Sequence, residues 1–92
     1  NLQVLLARVG AELPLEDAPT AWLPGDIVTW TLPGGLPHIG IVSDRRTADG
    51  TPLILHNIGA GAQEEDILFA YPITGHYRLG ADQIARLRAL TA

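Results

Sequence analysis

The sequence predicts an α+β fold: a small antiparallel sheet of about four strands with flanking helices. Three observations carry this. Short runs rich in β-branched and apolar residues, 27–32, 38–43, 51–58 and 74–79, alternate with Gly, Pro and Asp punctuation. The two ends of the chain instead repeat apolar residues at helical spacing. The chain has 92 residues, which limits it to one domain with a modest core.

Each element follows from local chemistry. Leu2, Leu5, Leu6 and Val9 recur at helical spacing, so residues 1–10 read as a short amphipathic helix that Gly10 ends. Residues 12–21 contain Pro14 and Pro19 and read as a loop, with Glu16 and Asp17 solvated. Pro24-Gly25-Asp26 is a tight turn into the first strand. Pro33-Gly34-Gly35 breaks that strand, and the second begins at His38. The second strand is almost wholly apolar after the histidine, which predicts cover on both faces. A polar loop ending in Asp49-Gly50 leads to the third strand. Gly59-Ala60-Gly61 reads as a flexible exit, and Gln63-Glu64-Glu65-Asp66 as a solvated segment, with an acidic patch of Glu64, Glu65 and Asp66 near the site as the alternative. Ile67-Leu68-Phe69 returns to the core, and the last strand carries His76-Tyr77-Arg78. Asp82 is placed to N-cap a final helix bearing Ile84, Leu87 and Leu90. Trp22, Trp30, Phe69, Tyr71 and Tyr77 read as core and rim.

Charge and composition exclude several function classes. The formal net charge is −4 and all six basic residues are arginines. Arg45-Arg46 and the Arg86/Arg88 pair are too sparse to track phosphates, which argues against nucleic acid. No apolar run reaches the length of a membrane span. The lack of cysteine excludes disulfides and thiolate metal sites within this segment. No cofactor is expected. The chain opens on Asn1 and contains no methionine, which suggests the C-terminal part of a longer protein, with any targeting signal upstream.

Strand register singles out two residues. If the second and third strands form a hairpin with Ser43 opposite Thr51, His38 falls directly opposite His56. Directly opposed residues on one face have Cβ atoms roughly 4.5–5.5 Å apart. A one-residue slip would send the rings to opposite faces. Paired imidazoles suit the base and orienter of a thiol hydrolase, in which the base takes the nucleophile's proton and a third group holds its tautomer. His38 is the candidate base and His56 the candidate orienter; Asn57, on the other face, is a second choice. Gly40 shares the His38 face and would let a helix approach closely. The removal of that helix would leave an apolar patch around Gly40 and Val42, able to drive association.

Other readings stay open. Two histidines on adjacent strands can be ordinary core or surface residues. His76 reads as structural. Three histidines with a water would make a catalytic zinc set, but His76 would have to fold back onto the other two. Ser43 sits at the far end of the His38 strand and on no nucleophile elbow.

The runs PGDIVTW, GLPHIGIVSD, LILHNIGAGAQEEDILF and ITGHYR together resemble a bacterial family of unknown function, number twelve-eighty-seven, from Trp22 to Arg78. That family is similar to the NlpC-type cell-wall cysteine peptidases, whose fold is papain-like. The resemblance implies that this chain is the sheet half of such a domain, a single C-terminal fragment over residues 1–92. It implies a general base at His38, a third triad member at His56 and a structural turn at Asp26. It also implies a periplasmic or secreted cysteine amidase or peptidase acting on peptidoglycan peptides. The family cysteine opens a helix upstream of the first strand, and nothing before Trp22 replaces it. The chain alone would then be inert, with the N-terminal half of the same protein or a second copy as its partner. A non-catalytic peptide- or glycan-binding module is the alternative.

Overall fold

A computed structural model describes residues 1–59 and 61–91. Its elements are α1 (Leu2–Arg8), β1 (Glu12–Leu13), a 3-10 turn (Pro19–Ala21), β2 (Ile27–Leu32), β3 (Leu36–Arg46), β4 (Pro52–Ile58), β5 (Gly61–Glu65), β6 (Ile73–Tyr77) and α2 (Ala81–Thr91). The strands form one antiparallel sheet in the order β1-β6-β2-β3-β4-β5. The α+β class stands, but the sheet has six strands rather than about four. The two additional strands lie at the edges. β1 has two residues, and every residue of β5 after Gly61 is exposed, so neither carries the apolar alternation that marks a strand in sequence. Their shortness and charge also blunt the edges against strand addition. Of the expected flexible exit, Ala60 lies outside the described residues, and Gly61 opens β5.

The two faces are covered differently. On one face Val28, Trp30, Val42 and Ile54 pack with Trp22 and Leu68, all at most 2 % exposed. Trp22 arrives from the 3-10 turn and Leu68 from the connection between β5 and β6. Each buried indole removes roughly 150–250 Å² from water, worth about 4–6 kcal/mol before entropy at about 25 cal/mol per Å². The indole nitrogens are satisfied: Trp30 Nε1 donates to the Leu68 carbonyl at 2.9 Å and Trp22 Nε1 to that of Glu16 at 3.1 Å. Arg46 fastens the cover to β3, its guanidinium donating to the carbonyls of Trp22, Pro19 and Gly50.

On the second face, Leu6 of α1 and Val9, which caps its C-terminal end, pack with Ala11 and Tyr77, flanked by Ile27, Leu79 and Leu87. Asn1 caps α1, its side chain accepting from the Val4 N–H at 2.9 Å. The final helix starts at Ala81, so Asp82 sits inside the first turn rather than at the cap. The Gln83 side chain instead accepts from the Gly80 N–H. Asp82 still opposes the positive end of the helix and pairs with Arg86 one turn on.

The cover of the second face stops short of β3 and β4. Ile39, Ile41 and Leu55 are 40 %, 48 % and 44 % exposed. With Leu2, Ile27, Asn57 and Ala62 they border an apolar trough of about 470 Å³. The expected patch therefore lies on the opposite face from Gly40 and Val42, both of which are buried. The cause is the loop cover contributed by Trp22 and Leu68, which no strand pattern announces.

Candidate active site: two imidazoles and a carboxylate

His38 stands near the start of β3, with its ring stacked on Trp30 at 5.7 Å between centroids. His56 stands in β4. The rings meet edge to face, and His38 Nε2 lies 2.9 Å from His56 Nδ1. The pairing differs from the expected register by two residues. Ile41 faces Leu55 and Val42 faces Ile54, so continuing the ladder puts Gly40 opposite His56. A slip of two keeps every side chain on its face. The histidines become diagonal neighbours, about 7–8 Å apart along the sheet and within reach of aromatic side chains. The hairpin closes with Arg46 opposite Pro52, four residues from the expected register, and the ladder shift between Arg46 and Val42 takes back two of them. β3 thus runs three residues past its expected end at Ser43.

Gly40 is required by this packing for a reason other than the expected one. A Cβ there would lie 2.6 Å from Ile54 Cγ2 and 2.9 Å from the Trp30 ring. The space serves the indole that backs His38, not an approaching helix.

A third group completes the row. His56 Nε2 lies 2.8 Å from Glu65 Oε1, so both ring nitrogens of this buried imidazole are engaged. Glu65 is solvated as expected, its side chain 47 % exposed, yet its carboxylate reaches the buried ring. The β4–β5 ladder pairs His56 with Gln63 and Ile54 with Glu65, which places Glu65 diagonally beside His56 on the same face. The signal was present: a tight turn at Gly59 followed by period-two alternation sends residues 63 and 65 to the His56 side. Four consecutive polar residues masked it. Glu64 points the other way and accepts from Ser43 Oγ at 2.6 Å. Ser43 is thereby tied up on the face opposite the histidines. Asn57 pairs with Ala62 and is also turned away from His38.

Burial holds His38 below the usual imidazole value of 6.5. The ring is therefore neutral and able to accept a proton at physiological pH. A hollow of about 310 Å³ lies beside it, between the start of α1 and the β2–β3 hairpin, lined by Gln3, Thr29, Pro37 and Ile39 among others.

His76 belongs to a separate cluster. It is 1 % exposed, stacked on Trp22 at 3.6 Å, with Nε2 only 2.6 Å from Asp26 Oδ2. The buried Asp26 also accepts from the Leu23 N–H and from Arg78 Nε and Nη2, both at 2.8 Å. With a carboxylate as acceptor, His76 carries its hydrogen on Nε2. Its Nδ1 is buried without a partner among the described residues. This cluster pins the PGD turn to β6. It keeps His76 away from the His38–His56 pair, and the described residues contain no group of three His, Cys, Asp or Glu placed to hold a metal ion.

The family described as "Domain of unknown function (DUF1287)" matches residues 1–79. The chain belongs to this family. It is 53 % identical over 78 residues to the uncharacterized protein YijF of Escherichia coli (strain K12), a match covering 85 % of this chain. The chain spans 38 % of that relative's length. No solved structure matches.

Proposed function

We propose that this chain supplies the base and its orienter to a cysteine hydrolase that cleaves an amide bond in peptidoglycan peptides. The thiol would come from a part of the protein outside this sequence, as in the NlpC-type peptidases, with the six-stranded sheet as the sheet half of a papain-like domain. The reading rests on one observation, the 2.9 Å contact between His38 and His56.

In this scheme His38 accepts the thiol proton, the thiolate attacks the carbonyl, and His38 returns the proton to the leaving amine. His56 holds the ring in one orientation while Trp30 backs it. Resemblance to the family suggests a periplasmic or secreted setting. It also suggests an upstream segment of the same protein, or a second copy, as the partner that brings the sulfur.

The test uses the full-length protein containing this chain, assayed on purified cell-wall fragments. His38→Ala should lower turnover by roughly 10²-fold or more, the usual worth of a positioned general base. Hydrolysis unchanged by the substitution would reject the assignment. Binding of fragments without release of any product, equal in wild type and variant, would favour a non-catalytic binding module.

A further inference from the structure

We infer that Glu65 is the positioning residue that selects which nitrogen of His38 receives the proton. The inference rests on the proposed base role of His38 and adds to it a member that touches no reacting atom.

The argument is one of donors and acceptors. A carboxylate only accepts, so Glu65 Oε1 at 2.8 Å requires a hydrogen on His56 Nε2. While the ring carries that single hydrogen, His56 keeps a lone pair on Nδ1, and this lone pair accepts from His38 Nε2–H across the 2.9 Å contact; a second hydrogen, on His56 Nδ1, would reverse the contact. His38 is then left with its lone pair on Nδ1, free of the partner ring. When Nδ1 takes up a proton, Nε2–H continues to donate to His56, and the charge of Glu65 stands behind the new imidazolium. Proton uptake rearranges no hydrogen bond in the row.

Without Glu65 the pair is degenerate. His56 Nδ1–H could equally donate to His38 Nε2. That would put the hydrogen of His38 on Nδ1 and occupy its only lone pair. Two neutral imidazoles alone have no reason to prefer the productive direction, and a terminal acceptor supplies one. The register ensures that one carboxylate of the acidic run does this: Glu65 shares the His56 face, whereas Glu64 is held by Ser43 on the other.

The test is imidazole nitrogen NMR on the full-length protein labelled with ¹⁵N in its histidine rings. In the wild type at neutral pH, His38 should show an unprotonated Nδ1 and a protonated Nε2. Glu65→Gln keeps the shape of the side chain but can donate as well as accept. It should move both His38 signals toward averaged positions. It should also lower kcat on the order of tenfold, a part of what a general base contributes, with KM little changed. Glu64→Gln should alter neither signal nor rate. A wild-type His38 protonated on Nδ1, or a Glu65→Gln spectrum identical to wild type, would overturn the inference. The spectrum is read without substrate, so the tautomer shift can stand even if no hydrolysis is found, a result that would sink the hydrolase reading alone. Hydrolysis that depends on His38 but ignores Glu65→Gln, in rate and spectrum, would sink the Glu65 inference alone.

Discussion

Gly40→Ala should destabilise the protein well beyond an ordinary strand substitution, although alanine suits a strand better than glycine does. Gly40 does not have a left-handed backbone, so the penalty is purely one of space. The added methyl would lie 2.6 Å from Ile54 Cγ2 and 2.9 and 3.0 Å from two atoms of the Trp30 ring. Neither neighbour can yield cheaply. Ile54 is fully buried, and the Trp30 indole is 1 % exposed and tethered to the Leu68 carbonyl. Overpacking of this kind costs about 1–3 kcal/mol, and two rigid neighbours place the expectation near the upper end. In a domain of this size about 3 kcal/mol lowers Tm by about 12–24 °C. Urea titration followed by tryptophan fluorescence reads it directly. A double-mutant cycle sharpens the test. Ile54→Ala removes the clashing methyl, so in the Gly40→Ala background it should cost about 1 kcal/mol less than in wild type. A Gly40→Ala protein within about 0.5 kcal/mol of wild type, the usual spread for an innocuous substitution, would refute the packing argument.

Three further expectations follow from the charged and apolar groups. Burial raises the pKa of Asp26, but hydrogen bonds from Arg78, His76 and the Leu23 N–H, with the Arg78 charge, outweigh it and hold the carboxyl below the ordinary 3.8. The unfolded chain therefore binds this proton more readily, and the stabilisation, present above about pH 4, is lost as the pH falls through the folded value. Asp26→Asn should flatten that acid limb in denaturation curves, and should cost about 3–5 kcal/mol at neutral pH by stranding buried partners. His38 should titrate below 6.5 in proton NMR; a midpoint above that value would contradict its burial beside His56. The 92-residue chain by itself should self-associate through Ile39, Ile41 and Leu55. Ile41→Glu should render it monomeric in sedimentation, and a wild-type chain already monomeric at high concentration would count against the patch.

The ladder of β2, β3, β4 and β6 was legible because each strand carries apolar or β-branched residues between Gly- and Pro-rich breaks. The shared face of His38 and His56 was legible because a two-residue register error leaves parity untouched. The error itself came from placing the hairpin's closure at Ser43, whereas β3 continues to Arg46 through a ladder shift. β5 and the contact of Glu65 with His56 were missed together, the sequence offering no more than an acidic patch near the site. An edge strand of polar residues looks like a loop when only its hydrophobicity is read. The turn chemistry after Ile58 is what reveals its alternation.

Local composition and periodicity determined on their own that this is a small α+β domain with two imidazoles on one side of its central strands. Those are properties of neighbouring residues, set by backbone sterics and a two-residue repeat. Only the tertiary structure decided that a carboxylate nine residues beyond His56 ends the row, that Trp30 fills the space left by Gly40, and that the exposed apolar surface lies on the opposite side of the sheet. These depend on contacts between segments far apart along the chain or across a turn, where bulges and loop cover outweigh any local preference.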